Sequence, residues 1–172
     1  MNRSLVRVAL AGLFAVAALP VLAQQVNVAV IDVQRVVTES ARGKEALGKL
    51  KQLQDQKIEQ GKTLQQKLDA LKDQFNKQRF TLSQEKLDQL QKNIEDQTIK
   101  MKRFQDDAQR ELQEARKRAL DSLEQKIMPI INEIGQEKKF SLIFNKYQSG
   151  LVYADQGIDI TDEVIRRFNT KK

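Results

Sequence analysis

Residues 87–134 read LDQLQKNIEDQTIKMKRFQDDAQRELQEARKRALDSLEQKIMPIINEI, and this stretch decides the fold. Fourteen of its positions follow one another at steps of three or four residues, so that 13 steps cover 47 residues at 3.6 per step. That is the period of the α-helix, and it predicts a nearly straight helix with one narrow apolar stripe. The stripe has one polar member and consists of Leu87, Leu90, Ile94, Gln97, Met101, Phe104, Ala108, Leu112, Ala115, Ala119, Leu123, Ile127, Ile130 and Ile134.

A second stripe lies upstream and is interrupted by polar residues and a glycine around positions 54–61; its members are Leu47, Leu50, Leu64, Leu68, Leu71 and Phe75. Neither Gly nor Pro occurs between Gly61 and Pro129, so no turn residue separates the two stripes. The midpoint of the helical region 41–128 falls near Ser83. Thr81 and Ser83 can each cap a new helix there, and Thr81 with Gln84 has the spacing of a capping box. We therefore predict an antiparallel helical hairpin with its tip near 80–84.

Both ends of the chain are rich in β-forming residues: VNVAVID at 26–32, FSLIFN at 140–145 and LVYA at 151–154. The first segment is distant in sequence from the other two, and a lone strand is not stable. The helical region between them must therefore form two antiparallel helices, which return the chain to its starting end so that the strands can pair. This predicts an α+β fold with three short strands in a base of residues 24–40 and 129–172, a helical prong of residues 41–128, and a final helix capped by Thr161.

The first 23 residues have the pattern of a secretory signal peptide. Arg3 and Arg7 precede an apolar run at 8–19, and Val21 and Ala23 provide small residues before a cleavage point after Ala23. No Cys follows that point, so the pattern favours a soluble exported chain over a lipoprotein. Cleavage would lower the formal net charge from +7 to +5, because Arg3 and Arg7 are removed.

The composition excludes most catalytic chemistry, because the chain contains neither Cys nor His. A hydrolase built on Asp155, Asp159 and Asp162 is the enzyme alternative, but we expect these carboxylates to lie in turns and at a helix start. A basic cluster at 116–118 suggests nucleic acid, yet Glu114 and Asp121 flank it and export would separate it from that partner. We therefore predict no enzyme, no cofactor, no metal and no nucleic-acid partner.

The predicted base contains 61 residues and leaves strand edges open, so self-association is expected to complete it. Val26, Val28 and Val30 share one face of the first strand and are expected to face the assembly core. Residues 27, 29 and 31 face the other way, and the pattern allows the two faces to be exchanged.

The order of elements in residues 24–172 resembles the OmpH/Skp family of periplasmic chaperones. The resemblance rests on VAVID at 28–32, QRVV at 34–37, Ser40, GK at 43–44, VYAD at 152–155 and IDIT at 158–161. It implies a homotrimer whose bases form an intersubunit β-barrel, with three prongs around a cavity that holds unfolded outer-membrane proteins. The trimer-core candidates are Val26, Val28, Val30, Leu142, Phe144 and Val152.

On this resemblance the chain is an ATP-independent holdase in the periplasm, and candidates for client contact lie near the prong tip: Phe75, Lys77, Arg79 and Phe80. Met101 and Phe104 lie on the long stripe and are expected in the hairpin core. The family has also been linked to lipopolysaccharide, but the resemblance assigns no residue to that ligand. The alternative is an envelope scaffold or coiled-coil spacer, which would have the same helices but would not keep an unfolded barrel protein soluble.

Signal-peptide cleavage predicts that the exported protein begins at Gln24. N-terminal sequencing of the periplasmic fraction checks this expectation, and recovery of intact Met1 in the membrane would contradict it.

Overall fold

The computed structural model describes residues 26–171, so the predicted signal peptide and its cleavage point lie outside the described residues. Within this range the chain is mostly helical, with a small pair of strands. Its elements in order are β1 (Val28–Ile31), α1 (Val33–Glu39), α2 (Ala41–Gln78), α3 (Gln84–Glu137), β2 (Leu142–Asn145), a 3-10 turn (Gln156–Ile158) and α4 (Thr161–Thr170).

Helices α2 and α3 form the predicted antiparallel hairpin and pack along their stripes. All fourteen positions of the α3 stripe are buried or half-buried, so the helical period in the sequence identified the packed face correctly. The loop between the two helices spans residues 79–83. Of the two predicted caps, Ser83 occupies the N-cap position of α3, although its side chain makes no capping hydrogen bond. The capping box of Thr81 with Gln84 does not form, because the Thr81 hydroxyl donates to the carbonyl of Gln78.

The interruption in the α2 stripe is filled by polar contacts between the two helices. Lys57 Nζ lies 2.6 Å from Glu111 Oε2, and Gln97 Nε2 donates to the carbonyl of Leu64 at 3.2 Å. Leu47 departs from the predicted stripe: it is exposed, and its neighbour Ala46 turns inward against the base core. The hairpin is therefore joined by a single row of mostly apolar side chains that a few polar contacts interrupt.

The two strands pair in parallel, with Val28 opposite Leu142 and Ile31 opposite Asn145. The predicted third strand at 151–154 does not form. The second edge of β1 is occupied by the segment before α4, since the amide of Ile160 donates to the carbonyl of Val30 at 2.9 Å. The 151–154 segment runs as irregular chain and pairs with neither strand.

The core of the base lies between β1 and the helices and has eleven buried members: Ala29, Ile31, Val36, Leu123, Ile127, Ile130, Ile131, Ile134, Ile160, Val164 and Phe168. Helix α3 contributes five of them, and this explains why the helix runs nine residues past the predicted boundary at 128. Pro129 removes one backbone donor from the helix, but the burial of Ile130, Ile131 and Ile134 beyond it keeps the chain helical.

Helix α4 begins one residue earlier than predicted, and Thr161 is its first residue rather than its side-chain cap. The buried Thr161 hydroxyl accepts from the amide of Asp32 at 2.9 Å and donates to Asp159 Oδ1. It therefore fastens the end of β1 to the start of α4. Within residues 26–171, no helix combines the length and apolar character that crossing a bilayer requires.

The junction of α1 and α2 provides a test of this base. The Ser40 hydroxyl caps α2 by accepting from the amide of Gly43 at 3.1 Å. A Cβ atom on Gly43 would clash with the carbonyl oxygen of Val37, whereas a Cβ on Gly48 meets nothing within 4 Å.

We expect Gly43→Ala to lower the free energy of unfolding by about 1–3 kcal/mol or more, because α1 would have to move away from α2. The control Gly48→Ala adds the same methyl group at an open helical position and should raise the free energy of unfolding by about 0.5–1 kcal/mol. Urea unfolding followed by circular dichroism measures both. Equal stability of the two variants would contradict the close approach of α1 and α2.

Candidate functional site

The face of the strand pair that points away from the helices is apolar and partly open. Val28 and Val30 share this face with their partners Leu142 and Phe144, because directly paired residues of parallel strands lie on the same side. Leu142 is 51% exposed and Phe144 37%. We call Val28, Leu142 and Phe144 the outer sheet face. Val30 differs from the other trimer-core candidates, since it is already buried within the single chain.

The loop between β2 and the 3-10 turn exposes further large apolar side chains. Val152 is fully exposed, and Tyr147 and Tyr153 are nearly so. The chain has only these two tyrosines, and Gly150, at φ +70°, makes the turn between them. Val26, the remaining trimer-core candidate, is also exposed. Exposed apolar groups of this size are typical of a surface that another protein covers.

The sequence predicted Val152 as an interface residue but did not select the two tyrosines. Both could have been found by their position, because they flank the predicted turn at Ser149 and Gly150 in a segment of β-forming residues. Tyr is enriched at interfaces, where its ring is covered and its hydroxyl stays hydrated.

The four candidates for client contact at the prong tip differ in their exposure. Phe80 is 83% exposed, and the guanidinium carbon of Arg79 lies 4.6 Å from the centre of its ring. Lys77 is exposed beside them at the end of α2. Phe75 is half-buried on the inner stripe of α2, so little of its ring is open to a partner. The tip therefore presents one aromatic ring with cations around it.

A polar cluster holds the segment that leads into α4. Lys146 Nζ lies 2.6 Å from Asp159 Oδ2, and Asp159 Oδ1 accepts from the amide of Thr161 at 2.8 Å. Burial acts to raise the pKa of Asp159, but the hydrogen bonds from Lys146 and Thr161 outweigh it and hold that pKa below its usual value. The same contact raises the pKa of Lys146. Asp159 is therefore a charged structural residue at neutral pH.

The other two carboxylates of the hydrolase alternative also have structural partners. Asp155 accepts from the amide of Gly157 at 2.7 Å and caps the 3-10 turn. Asp162 lies in the first turn of α4, with its carboxylate 2.9 Å from Arg35 Nη2. Among residues 26–171, no group of three or more acidic side chains is arranged to bind a metal ion.

Comparison with known proteins places this geometry in a family. A family model described as outer membrane protein (OmpH-like) matches residues 27–168. The fold is similar to a crystal structure from Caulobacter crescentus CB15 described as that of a proposed outer membrane chaperone (OmpH-like), with a TM-score of 0.76 and 22% sequence identity. That match covers 84% of this chain and 84% of the other. No match is found among the curated proteins.

The polar cluster predicts an acid-sensitive base. Because the pKa of Asp159 is lowered in the folded state, its contribution to stability is present above the unfolded pKa of about 3.9 and is lost as the pH falls through the folded pKa. We expect Asp159→Asn to lower the free energy of unfolding by about 1–3 kcal/mol at pH 7.

The difference between this variant and the wild type should begin to shrink at about pH 4, where the unfolded chain takes up a proton, and should vanish below the folded pKa, where the wild-type carboxyl is protonated as well. Asp155→Asn is the matched control, because Asn caps a helical turn nearly as well as Asp and the effect should be small. Denaturant unfolding at a series of pH values measures both variants. A difference for Asp159→Asn that does not change with pH would show that its charge is not the stabilising feature.

Proposed function

Since this chain belongs to the OmpH-like family, we propose that it is an ATP-independent holdase chaperone of the periplasm that binds unfolded outer-membrane proteins and prevents their aggregation. The observation that carries the proposal is the long hairpin standing on a small base. Helix α2 has 38 residues, and at about 1.5 Å per residue it extends roughly 57 Å. The base core is confined to one end of this length, so most of the hairpin surface is available to a partner.

We further propose that the protein is a homotrimer whose bases join through the outer sheet face and the exposed loop that follows it. The outer edge of β2 can take another strand, because the sheet formed within residues 26–171 has two strands in the order β1-β2. Leu142, Phe144 and Val152 supply apolar area that association would remove from water. Closing the edges into an intersubunit β-barrel would also protect them from unspecific pairing.

In such a trimer three prongs surround a space in which a client is held. Outer-membrane proteins alternate apolar and polar residues along each strand, and before insertion their apolar side chains need shielding from one another. Many weak contacts from three prongs supply avidity without a pocket for one sequence. Phe80 and Arg79 are the tip residues best placed for such contacts, since both are exposed and held against each other.

Holding a client in this way requires surface rather than catalysis. The OmpH-like family is not an enzyme family. The proposed cycle therefore consists of binding at the prongs and release to the outer membrane, with no nucleotide. A scaffold or spacer is the competing function, because it would need the same helices and the same base.

Two variants separate assembly from holding. The first replaces Leu71–Leu90 by a short Gly-containing loop, which removes the distal prong roughly 40 Å from Gly43 along the helix. It should remain trimeric and lose most client protection, because distant sites act nearly independently.

The second variant, Phe144→Asp with Val152→Asp, should lose the trimer and keep the hairpin, because a charge is costly in a closed apolar interface.

Light scattering measures the mass of each variant, and turbidity after dilution of a denatured outer-membrane protein measures protection. A wild-type chain that is a monomer or dimer would remove the cavity. A wild-type trimer without protection at stoichiometric amounts would favour the spacer, and full protection by the shortened trimer would show that the distal prong is not the holding device.

A further inference from the structure

An open groove of about 780 Å³ lies between α2 and α3 in the half of the prong nearer the base. Its floor is apolar and consists of Ala46, Leu50, Leu53, Ala115, Ala119 and Leu123. Three of these six are alanines, which fill less of the space between the helices than leucines would. We call this space the proximal groove.

Contacts between side chains lie beyond both ends of the groove. Toward the tip, the ion pair between Lys57 and Glu111 bridges the two helices. Toward the base, the guanidinium carbon of Arg42 lies 5.2 Å from the centre of the buried Phe168 ring. The lining residues of α2 run from Arg42 to Leu53, and these 11 steps correspond to roughly 16 Å of helix. An extended peptide rises about 3.3 Å per residue, so about five residues fit this length.

The rim of the groove carries more basic than acidic side chains. Four basic side chains, Arg42, Lys49, Arg118 and Lys126, stand around the floor with one acid, Glu45. Glu45 is paired with Lys49 at 2.7 Å, and that hydrogen bond is the main cause that lowers the pKa of Glu45. Arg118 also has a partner, because its Nη1 lies 3.3 Å from Glu114 Oε2. The positive excess above the apolar floor therefore rests on Arg42 and Lys126.

From this combination we infer that the proximal groove binds a short extended polypeptide segment in which apolar and acidic side chains alternate. Apolar side chains of such a segment would point down to Leu50, Leu53 and the alanines. Its carboxylates would point up, to the level reached by the long side chains of Arg118 and Lys126. The inference rests on the proposed function, because it gives the holdase a defined place for the strand-forming segments of a client.

Charge decides which segments the groove accepts. A segment with lysines in place of carboxylates would set like charges against the rim, and one with serines in place of leucines would leave the floor uncovered. Binding should therefore need both features at once. It should also weaken with salt, since the rim groups are exposed and screened by ions.

The probe is a fluorescein-labelled heptapeptide in which Leu alternates with Glu. We expect the full-length mature protein to bind it in low salt, with at least about tenfold weaker binding of the counterparts that carry Lys for Glu or Ser for Leu. Fluorescence anisotropy measures the affinity. Perturbation of the Ala115 and Ala119 methyl signals in NMR spectra locates the peptide at the floor.

The test variant is Arg118→Glu with Lys126→Glu, which should weaken binding of the Leu-Glu peptide by about tenfold or more. The matched control is Lys92→Glu with Lys102→Glu, which makes the same change in net charge on exposed parts of α3 away from the groove. A second variant, Ala119→Met, fills the floor without altering charge and should weaken binding as well. Circular dichroism and light scattering confirm that each variant keeps its fold and mass.

Equal loss in the test and control variants would mean that only the overall charge attracts the peptide, and this would overturn the inference. Binding of palmitate in the groove without binding of the peptide would overturn it too, by assigning the site to an anionic lipid. Contacts from a second copy of the chain to the alanine methyls in the free protein would also overturn the inference. The outcome is separate from that of the proposed function, because peptide binding is measured without a client and a protein that protects clients can still fail to bind the peptide.

Discussion

The parallel pairing of Val28–Ile31 with Leu142–Asn145 is the contact on which the rest of the structure depends. Parallel neighbours need a crossover that returns the chain to its starting end, and here the crossover is the whole helical hairpin. Because α3 must arrive beside β1, its last turns carry the isoleucines that cover Ala29 and Ile31. The base core, the inward face of the sheet and the direction of the prong are all fixed by this one arrangement.

Stability is unevenly distributed as a result. At the base, a strand pair and three helices enclose a contiguous core, with Phe168 and Ile134 fully buried. Along the prong, only single side chains on each stripe are covered, and polar contacts such as Lys57 with Glu111 interrupt them. A surface with so few buried groups opens at low cost. The arrangement suits a rigid base that carries a yielding prong.

The sequence was sufficient where structure depends on a repeating local rule. The 3.6-residue period found the packed face of α3. The prediction failed where the role of a residue depends on which distant residues lie next to it in the fold. Thr161 bonds to Asp32 and Asp159 instead of capping a helix, and Ile160 rather than the 151–154 segment pairs with the second edge of β1. The burial of Ile130 carries the helix past Pro129. The proximal groove could not be predicted either, because small side chains create a space only once two helices face each other.

The parallel register also sets an order of folding events. Leu142 follows Val28 by 114 positions, so a chain that emerges from its N-terminus exposes β1 long before its partner exists. The hairpin can form progressively from its tip through local contacts, whereas the pairing of the two strands requires a closure of high contact order. During this interval β1 is an unpaired, apolar edge that other chains could join. A protein of this architecture therefore passes through the aggregation hazard of an uncovered strand before its own fold is complete.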